Sequence, residues 1–386
     1  MICDETRLLT LTNVGLVRFG EGVATMCATD LADQGVRRVF VVTTPPTLTH
    51  CEGMVAALRA RGCAVTIWSD LAGEPTLGEF GLALKAAKDF GADAVVGLGG
   101  GSAMDVAKLV AALLDGKQDL TDVIGVDRLR GRALPLACIP TTAGTGSEVT
   151  PIAILSDEDE ELKKGVVSRH LVPDAAYLDP GLTVSMPPAV TAATGLDALT
   201  HCIEAYANRF AHPLVDVQAL AGIALIAANL ECAVYDGSDI AARAAMLRAS
   251  YYGGLCLGPV NTAAVHALAY PLGGEFHIAH GVANALLLPH VLRFNLDAAP
   301  ERYAAVAHAL GVAPSADART DALAGIERIV DLSRRCGVEM SMARFGITRD
   351  AIPRMATAAM TVTRLLERNP RVVTLDDCSR IYEAAL

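Results

Sequence analysis

Asp93-Ala94-Val95-Val96-Gly97-Leu98-Gly99-Gly100-Gly101-Ser102-Ala103-Met104-Asp105-Val106-Ala107-Lys108 passes from a short apolar run, through three glycines, into a helical pattern. A buried strand that turns through glycine into a helix leaves backbone N–H groups at the helix N-terminus free to point at an anion. Glycine suits the turn because it supplies positive φ and lets the backbone approach a phosphate closely. Ser102 serves there as N-cap, phosphate donor, or both. Upstream the same alternation occurs twice. Arg38–Thr43 reads as a strand, Cys51–Arg61 as its helix, Ala64–Trp68 as the next strand and Leu77–Phe90 as the next helix. Downstream, Leu136–Ile139, Ile152–Leu155 and Ala175–Leu178 read as further short strands. Strands alternating with helices specify a layered α/β domain with a mostly parallel sheet.

From Pro187 onward strand signals fade and Ala-rich amphipathic segments take over. The expected division is an α/β nucleotide-binding domain over residues 1–186 and an all-helical metal-binding domain over 187–386. The break lies at Ser185-Met186-Pro187-Pro188, where consecutive prolines interrupt a continuous helix.

The chain has 386 residues, 52% of them hydrophobic, and a formal net charge of −11. That charge disfavours a nucleic-acid or anionic-membrane partner and points to a small molecule. With Asp4 and Glu5 near its start and no basic segment before an apolar one, the N-terminus does not read as a signal peptide. The apolar run Leu220–Leu230 is shorter than the roughly 20 residues of a membrane span and reads as a buried helix. The 10 cysteines include no C-x-x-C pair, so reduced thiols in a cytoplasmic protein are expected.

A second glycine- and hydroxyl-rich loop, Thr141-Thr142-Ala143-Gly144-Thr145-Gly146-Ser147-Glu148, also follows a strand. Two such loops at strand ends make a nucleotide crevice. In the second half, Asp197 and His201 stand four apart in a helical segment and so share a face. His266, His277 and His280 follow within fifteen residues of one another. One carboxylate with three imidazoles suits Fe²⁺ or Zn²⁺. Spacing leaves both His277 and His280 open as the last ligand.

These constellations, in this order, resemble the iron-containing (group III) alcohol dehydrogenase family, whose fold is shared with dehydroquinate synthase. The matching segments are Gly99-Gly100-Gly101-Ser102-x-x-Asp105-x-x-Lys108, Pro140 through Glu148, Gly195-x-Asp197-Ala198-x-x-His201, and His266-Ala267-Leu268 through His280-Gly281-Val282-Ala283-Asn284-Ala285. The resemblance implies a dehydroquinate synthase-like fold with metal ligands Asp197, His201, His266 and His280. It further implies cofactor contacts at Gly100, Gly101, Ser102, Thr141 and Thr142, with Thr44, Asp105, Ser147 and Lys163 as additional ones. Tyr270 and His277 would lie beside the reacting centre.

Two positions depart from the family pattern. Thr44 stands where an acidic residue often meets the adenosine ribose, and it cannot repel a 2′-phosphate. NAD is preferred, because no Arg or Lys follows nearby to hold that phosphate, and NADP stays open. Tyr270 replaces a common histidine, and a phenol with a pKa of about 10 is a poorer base at neutral pH. The implied reaction is hydride transfer between a small alcohol or hydroxy acid and the nicotinamide, run as an alcohol dehydrogenase or aldehyde reductase. The alternatives are a hydroxyacid–oxoacid transhydrogenase with a tightly held cofactor and a dehydroquinate synthase-like metal-dependent lyase. The resemblance also implies a homo-oligomer, commonly a homodimer.

Overall fold

A computed structural model describes residues 6–158 and 162–386; the reading of Cys3, Asp4 and Glu5 falls outside them. The strands are β1 (Leu16–Phe19), β2 (Arg38–Val42), β3 (Ala64–Trp68), β4 (Ala94–Gly99), β5 (Gly125–Val126), β6 (Leu136–Pro140), β7 (Ile152–Asp157), β8 (Leu162–Val167) and β9 (Ala175–Leu178). Six of them form one sheet in the order β1-β9-β6-β4-β2-β3, and every pairing in it is parallel. A small second sheet runs β5-β8-β7, with β7 and β8 antiparallel.

Parallel strands need crossover helices, which cover both faces of the sheet and explain why β2 and β4 are apolar without alternation. Phe40, Val42 and Val95 pack on one side against Met104 and Leu109. Val39, Val41 and Val96 pack on the other side against Met54 and Leu58. Each fully buried side chain of this size contributes about 1.5–3 kcal/mol by leaving water. β3 and β4 flank β2 on opposite sides, so the chain reverses its winding there. Such a reversal opens a crevice at the strand C-termini, next to the glycine turn after β4.

β1, β5 and β8 carry weak sequence signals. β1 alternates half-buried and exposed residues at the sheet edge, and β8 contains Lys163, Lys164 and Gly165. The glycine turn also differs in detail from the sequence reading. The helix Gly101–Leu113 is N-capped by Gly100, and Ser102 lies inside its first turn rather than at the cap. The helix packs tightly on the sheet, since a Cβ at Gly97 in β4 would meet the Ala107 Cβ at 2.9 Å.

By internal packing the chain forms two compact units. One is Thr12–Ser185; the other is Met186–Leu386 together with the N-terminal stretch through Leu11. The second unit is helical from Pro188–Tyr206 onward, and Pro187 and Pro188 begin that helix as N-cap and first residue. Proline is tolerated there because the first N–H groups of a helix lack intrahelical partners. The apolar run Leu220–Leu230 proves to be the middle of the longer helix Pro213–Tyr235. By length and composition alone this helix could span a membrane, with 39% of its most apolar window buried. Val215, Ala219, Gly222, Ile223, Ile226 and Leu230 form its buried stripe, and Leu214 and Val217 are exposed.

Two glycines set how closely the helices approach. A Cβ on Gly195 would lie 2.4 Å from Leu230 Cδ1, and one on Gly281 would lie 2.1 Å from the Ala193 carbonyl oxygen. The second clash is with backbone, which a rotamer change cannot relieve. Only glycine therefore lets the helix His280–Asn295 lie against Pro188–Tyr206 at this point.

Candidate metal centre and phosphate loops

Asp197, His201 and Glu204 lie four and three residues apart on Pro188–Tyr206, and all three are buried. His266 sits in the first turn of Ala264–Phe276, and His280 opens His280–Asn295. The close approach at Gly281 draws His280 toward Asp197.

The imidazoles converge on one atom. Asp197 Oδ1 is 3.7 Å from His201 Nε2, 3.6 Å from His266 Nε2 and 3.7 Å from His280 Nε2. Asp197, His201 and His266 each bring one ligand atom within 4.8 Å of the others. The His201 and His266 rings stack at 4.8 Å, and His280 meets His266 edge-on at 5.3 Å. His277, by contrast, is exposed and caps Ala264–Phe276 in a left-handed conformation with φ 54°. Tyr270 is half-buried on that same helix.

This donor set fits a divalent cation. The three separations of 3.6–3.7 Å from Asp197 Oδ1 match the edge of a tetrahedron whose corners lie about 2.2 Å from its centre, within the range of metal bonds to nitrogen and oxygen. The electrostatics agree. Asp197 is held far below the usual carboxylate range: burial opposes this, and His201, His280 and His266 outweigh burial. Burial would lower His266, but the Asp197 and Glu204 carboxylates push it up to about 9. The cage thus favours positive charge at its centre. Asn284 adds a further sign, since its Nδ2 donates to Asp197 Oδ1 at 2.7 Å and lies 3.1 Å from His266 Nε2 and 3.2 Å from His280 Nε2. Its buried Oδ1 has no hydrogen-bond partner.

The two glycine-bearing loops leave the C-termini of β4 and β6, which are paired through Gly99↔Pro140. Thr141 N–H donates to the Gly99 carbonyl at 2.9 Å and ties the loops together. A Cβ on Gly101 would stand 2.9 Å from Thr145 Cγ2, and one on Gly100 3.5 Å from Thr142. Hydroxyls therefore crowd the glycine turn. The buried Thr141 Oγ1 has no partner. At the end of β2, Thr44 Oγ1 lies 2.8 Å from Thr47 Oγ1, which also lies 2.9 Å from Thr43 Oγ1.

Beneath the loops lies a buried polar network. Asp105 accepts from Ser147 Oγ at 2.6 Å and from the Ile154 N–H at 2.9 Å. Lys108 Nζ donates to Ser147 Oγ, Thr150 Oγ1 and the Ile152 carbonyl at 2.7–2.9 Å. Burial pushes Lys108 down and Asp105 up, each countered mainly by the other's charge. Glu148, also buried, is pushed up to about 7 by burial, and its Oε1 has no partner. Lys163 pairs with Glu74 at 2.8 Å.

The structure therefore brings Asp197, His201, His266 and His280 together, and separately Gly100, Gly101, Thr141 and Thr142. The reading of the sequence left out Glu204 and quoted Asn284 only within a matching segment, with no role, although their spacing marked them. Glu204 falls two helical turns after Asp197, and Asn284 one turn after His280. Nine cysteines are described; none is in a disulfide, and all but Cys232 are buried.

Comparison with known proteins finds relatives over nearly the whole chain. Residues 15–180 match the iron-containing alcohol dehydrogenase family, and residues 191–386 match the C-terminal region of the Fe-containing alcohol dehydrogenase family. Long-chain-alcohol dehydrogenase 1 of Geobacillus thermodenitrificans is 40% identical over 376 residues, 96% of this chain and 95% of the relative. The crystal structure of a 1,3-propanediol oxidoreductase superposes with a TM-score of 0.95 at 32% identity, covering 98% of this chain and 100% of that one. Sulfoacetaldehyde reductase from Bifidobacterium kashiwanohense, solved in complex with NAD⁺, superposes with a TM-score of 0.88 at 30% identity, covering 98% and 99%.

Proposed function

Taking as premise that this chain belongs to the iron-containing alcohol dehydrogenase family, we propose that it interconverts a small alcohol and its aldehyde with NAD as cofactor and one divalent metal ion per chain. Alcohol dehydrogenase or aldehyde reductase activity is the activity of the family. The metal and the cofactor are the finer reading. Convergence of three imidazoles on Asp197 Oδ1 carries the metal, and the paired glycine and threonine loops after β4 and β6 support the cofactor.

In this reading residues 187–386 bind the metal and residues 1–186 bind the nucleotide. Asp197, His201, His266 and His280 hold Fe²⁺, or Zn²⁺ in its place. A bound divalent ion supplies Lewis acidity, which stabilises an alkoxide in oxidation and polarises a carbonyl in reduction. Gly100, Gly101 and Ser102 present backbone N–H groups to the cofactor pyrophosphate. Thr141 and Thr142 offer hydroxyls to phosphate and ribose, and the unpartnered Thr141 Oγ1 supports that role. Asp105 and Ser147 hold the two loops together through the buried network. Thr44 and Lys163 bound the nucleotide site, with Thr44 selecting between NAD and NADP. Tyr270 and His277 handle the proton that leaves or joins the substrate oxygen. The active species is a homodimer or a larger assembly.

The test is elemental analysis of the purified protein, together with initial rates on alcohols and aldehydes with NAD(H) and NADP(H). One metal per chain, NAD-linked turnover and loss of turnover on chelation are expected. Full turnover in metal-free protein would remove the metal from the reading.

A further inference from the structure

Glu204 is the third acidic or imidazole group on the Asp197–His201 face, and its carboxylate is fully engaged. Oε2 stands 2.6 Å from His266 Nδ1, and Oε1 accepts the Val265 N–H at 2.6 Å. Val265 lies in the first turn of Ala264–Phe276, and the N-cap Ala263 supplies no side-chain hydrogen bond there. The N–H groups of a first helical turn need an external acceptor. Glu204 therefore caps the helix that carries His266 and holds the ring of that same residue.

The chemistry of this contact is directional. An ionised carboxylate only accepts hydrogen bonds, so Nδ1 must carry the proton when it faces Glu204. Nε2, on the Asp197 side, is then the nitrogen left for a metal. We propose that Glu204 is a positioning residue of the metal centre: it fixes the orientation and tautomer of His266 so that Nε2 presents its lone pair to the cation. This inference rests on the metal reading above. Carboxylate partners of ligating histidines orient the ring and raise its basicity, and losing them typically weakens metal affinity roughly 10- to 100-fold.

Glu204→Gln separates the two tasks of the side chain. Its amide oxygen can still cap Val265, but its NH₂ then faces Nδ1 and favours the tautomer with the proton on Nε2. The experiment is competition for Zn²⁺ between a chromophoric chelator and wild type, E204Q and Glu204→Asp, with thermal unfolding of each metal-stripped protein and the Co²⁺ d–d spectrum as second readouts. The expected result is one zinc per wild-type chain, at least tenfold weaker zinc binding by E204Q at an unchanged metal-free midpoint, and an altered Co²⁺ spectrum. Wild-type affinity and spectrum in E204Q would overturn the role of Glu204 alone. Absence of stoichiometric zinc in the wild type would overturn the metal reading and this inference with it. If E204Q does not fold, E204D decides, because its shorter carboxylate retreats from His266: weakened zinc binding in folded E204D supports the proposal and unchanged binding overturns it.

Discussion

The histidine cage and the glycine loops are built by opposite means to meet the charges proposed for them. In the cage, side chains from three helices converge on Asp197 Oδ1. At the loops, glycines leave the backbone bare at Gly99, Gly100 and Gly101, and the hydroxyl-bearing Thr142 and Thr145 stand close by. The difference decides how each region tolerates change. A cage loses a ligand with each substitution, whereas a glycine turn tolerates changes that leave its path free but fails when something fills it. It also decides where support comes from. Glu204 and Asn284 brace the cage from the same and neighbouring helices, and the buried Asp105–Lys108–Ser147 network braces the loops from beneath.

The sharpest test of this contrast removes a ligand. His266→Ala leaves Asp197 and Glu204 without their shared imidazole, and the two carboxylates then lie buried on one helix. Turnover should fall by at least about 10³-fold, since a Lewis acid contributes several kcal/mol to the transition state. Metal content should fall with it, while NAD(H) binding, read by NADH fluorescence, should survive. Undiminished turnover with full metal content would break the assignment of the cage.

The next effect is on stability and belongs to the loops. Lys108→Met removes a buried cation from three acceptors and leaves the Asp105 carboxylate beside no positive charge. Breaking a buried pair in this way costs about 3–5 kcal/mol. Trp68, the single tryptophan, lies in β3 and reports on this unit directly. Denaturation followed by its fluorescence should shift to lower denaturant in Lys108→Met, with metal content per folded chain unchanged. Adding Asp105→Asn should recover part of the loss, because it removes the carboxylate charge left unpaired. An unshifted midpoint would show that Lys108 carries no weight beneath the loops.

These two regions were unequally legible in the sequence. Asp197, His201, His266 and His280 are chemically conspicuous residue types, and the helical spacing of the first pair already put them on one face. Spacing left His277 and His280 open and the family resemblance chose His280; Gly281 against Ala193 and the left-handed turn at His277 give the physical reason why that ring reaches Asp197. The core strands β2 and β4 were plain because burial on both faces makes them continuously apolar. The edge strand β1 was not, because it pairs with β9 far along the chain, and neither was β8, because Lys163, Lys164 and Gly165 break its apolar pattern although β7, its hairpin partner, precedes it directly. Asp105 read as a cofactor contact from its motif; its internal bonds to Ser147 and Ile154 depend on a loop some forty residues away.

Glu148 offers a smaller effect of predictable sign. Burial raises its carboxyl to about 7 from the usual 4.5. The folded state therefore holds a proton that the unfolded chain releases near pH 4.5, and stability falls as pH rises between those values. Above pH 7 the penalty is constant and amounts to roughly 3 kcal/mol at most. Glu148→Gln should raise the unfolding midpoint at pH 8 and leave it nearly unchanged at pH 4.5. Equal shifts at both pH values would show that ionisation of Glu148 is not what limits stability there.

The smallest expected effect tests whether the loops extend their recognition to the ribose. Thr44 N-caps the turn Pro45–Cys51, a position that aspartate fills as well as threonine, so Thr44→Asp should keep the fold. A carboxylate there would accept hydrogen bonds from ribose hydroxyls and repel a 2′-phosphate. The ratio of kcat/KM for NADP to that for NAD should fall about tenfold, equivalent to about 1.4 kcal/mol. Metal affinity should not change, because Thr44 N-caps Pro45–Cys51 at the end of β2 and is not a ligand of the cage. A ratio that stays fixed would mean that Thr44 does not face the ribose, and cofactor choice would then have to be sought among the hydroxyls of Thr43, Thr47 and Thr142.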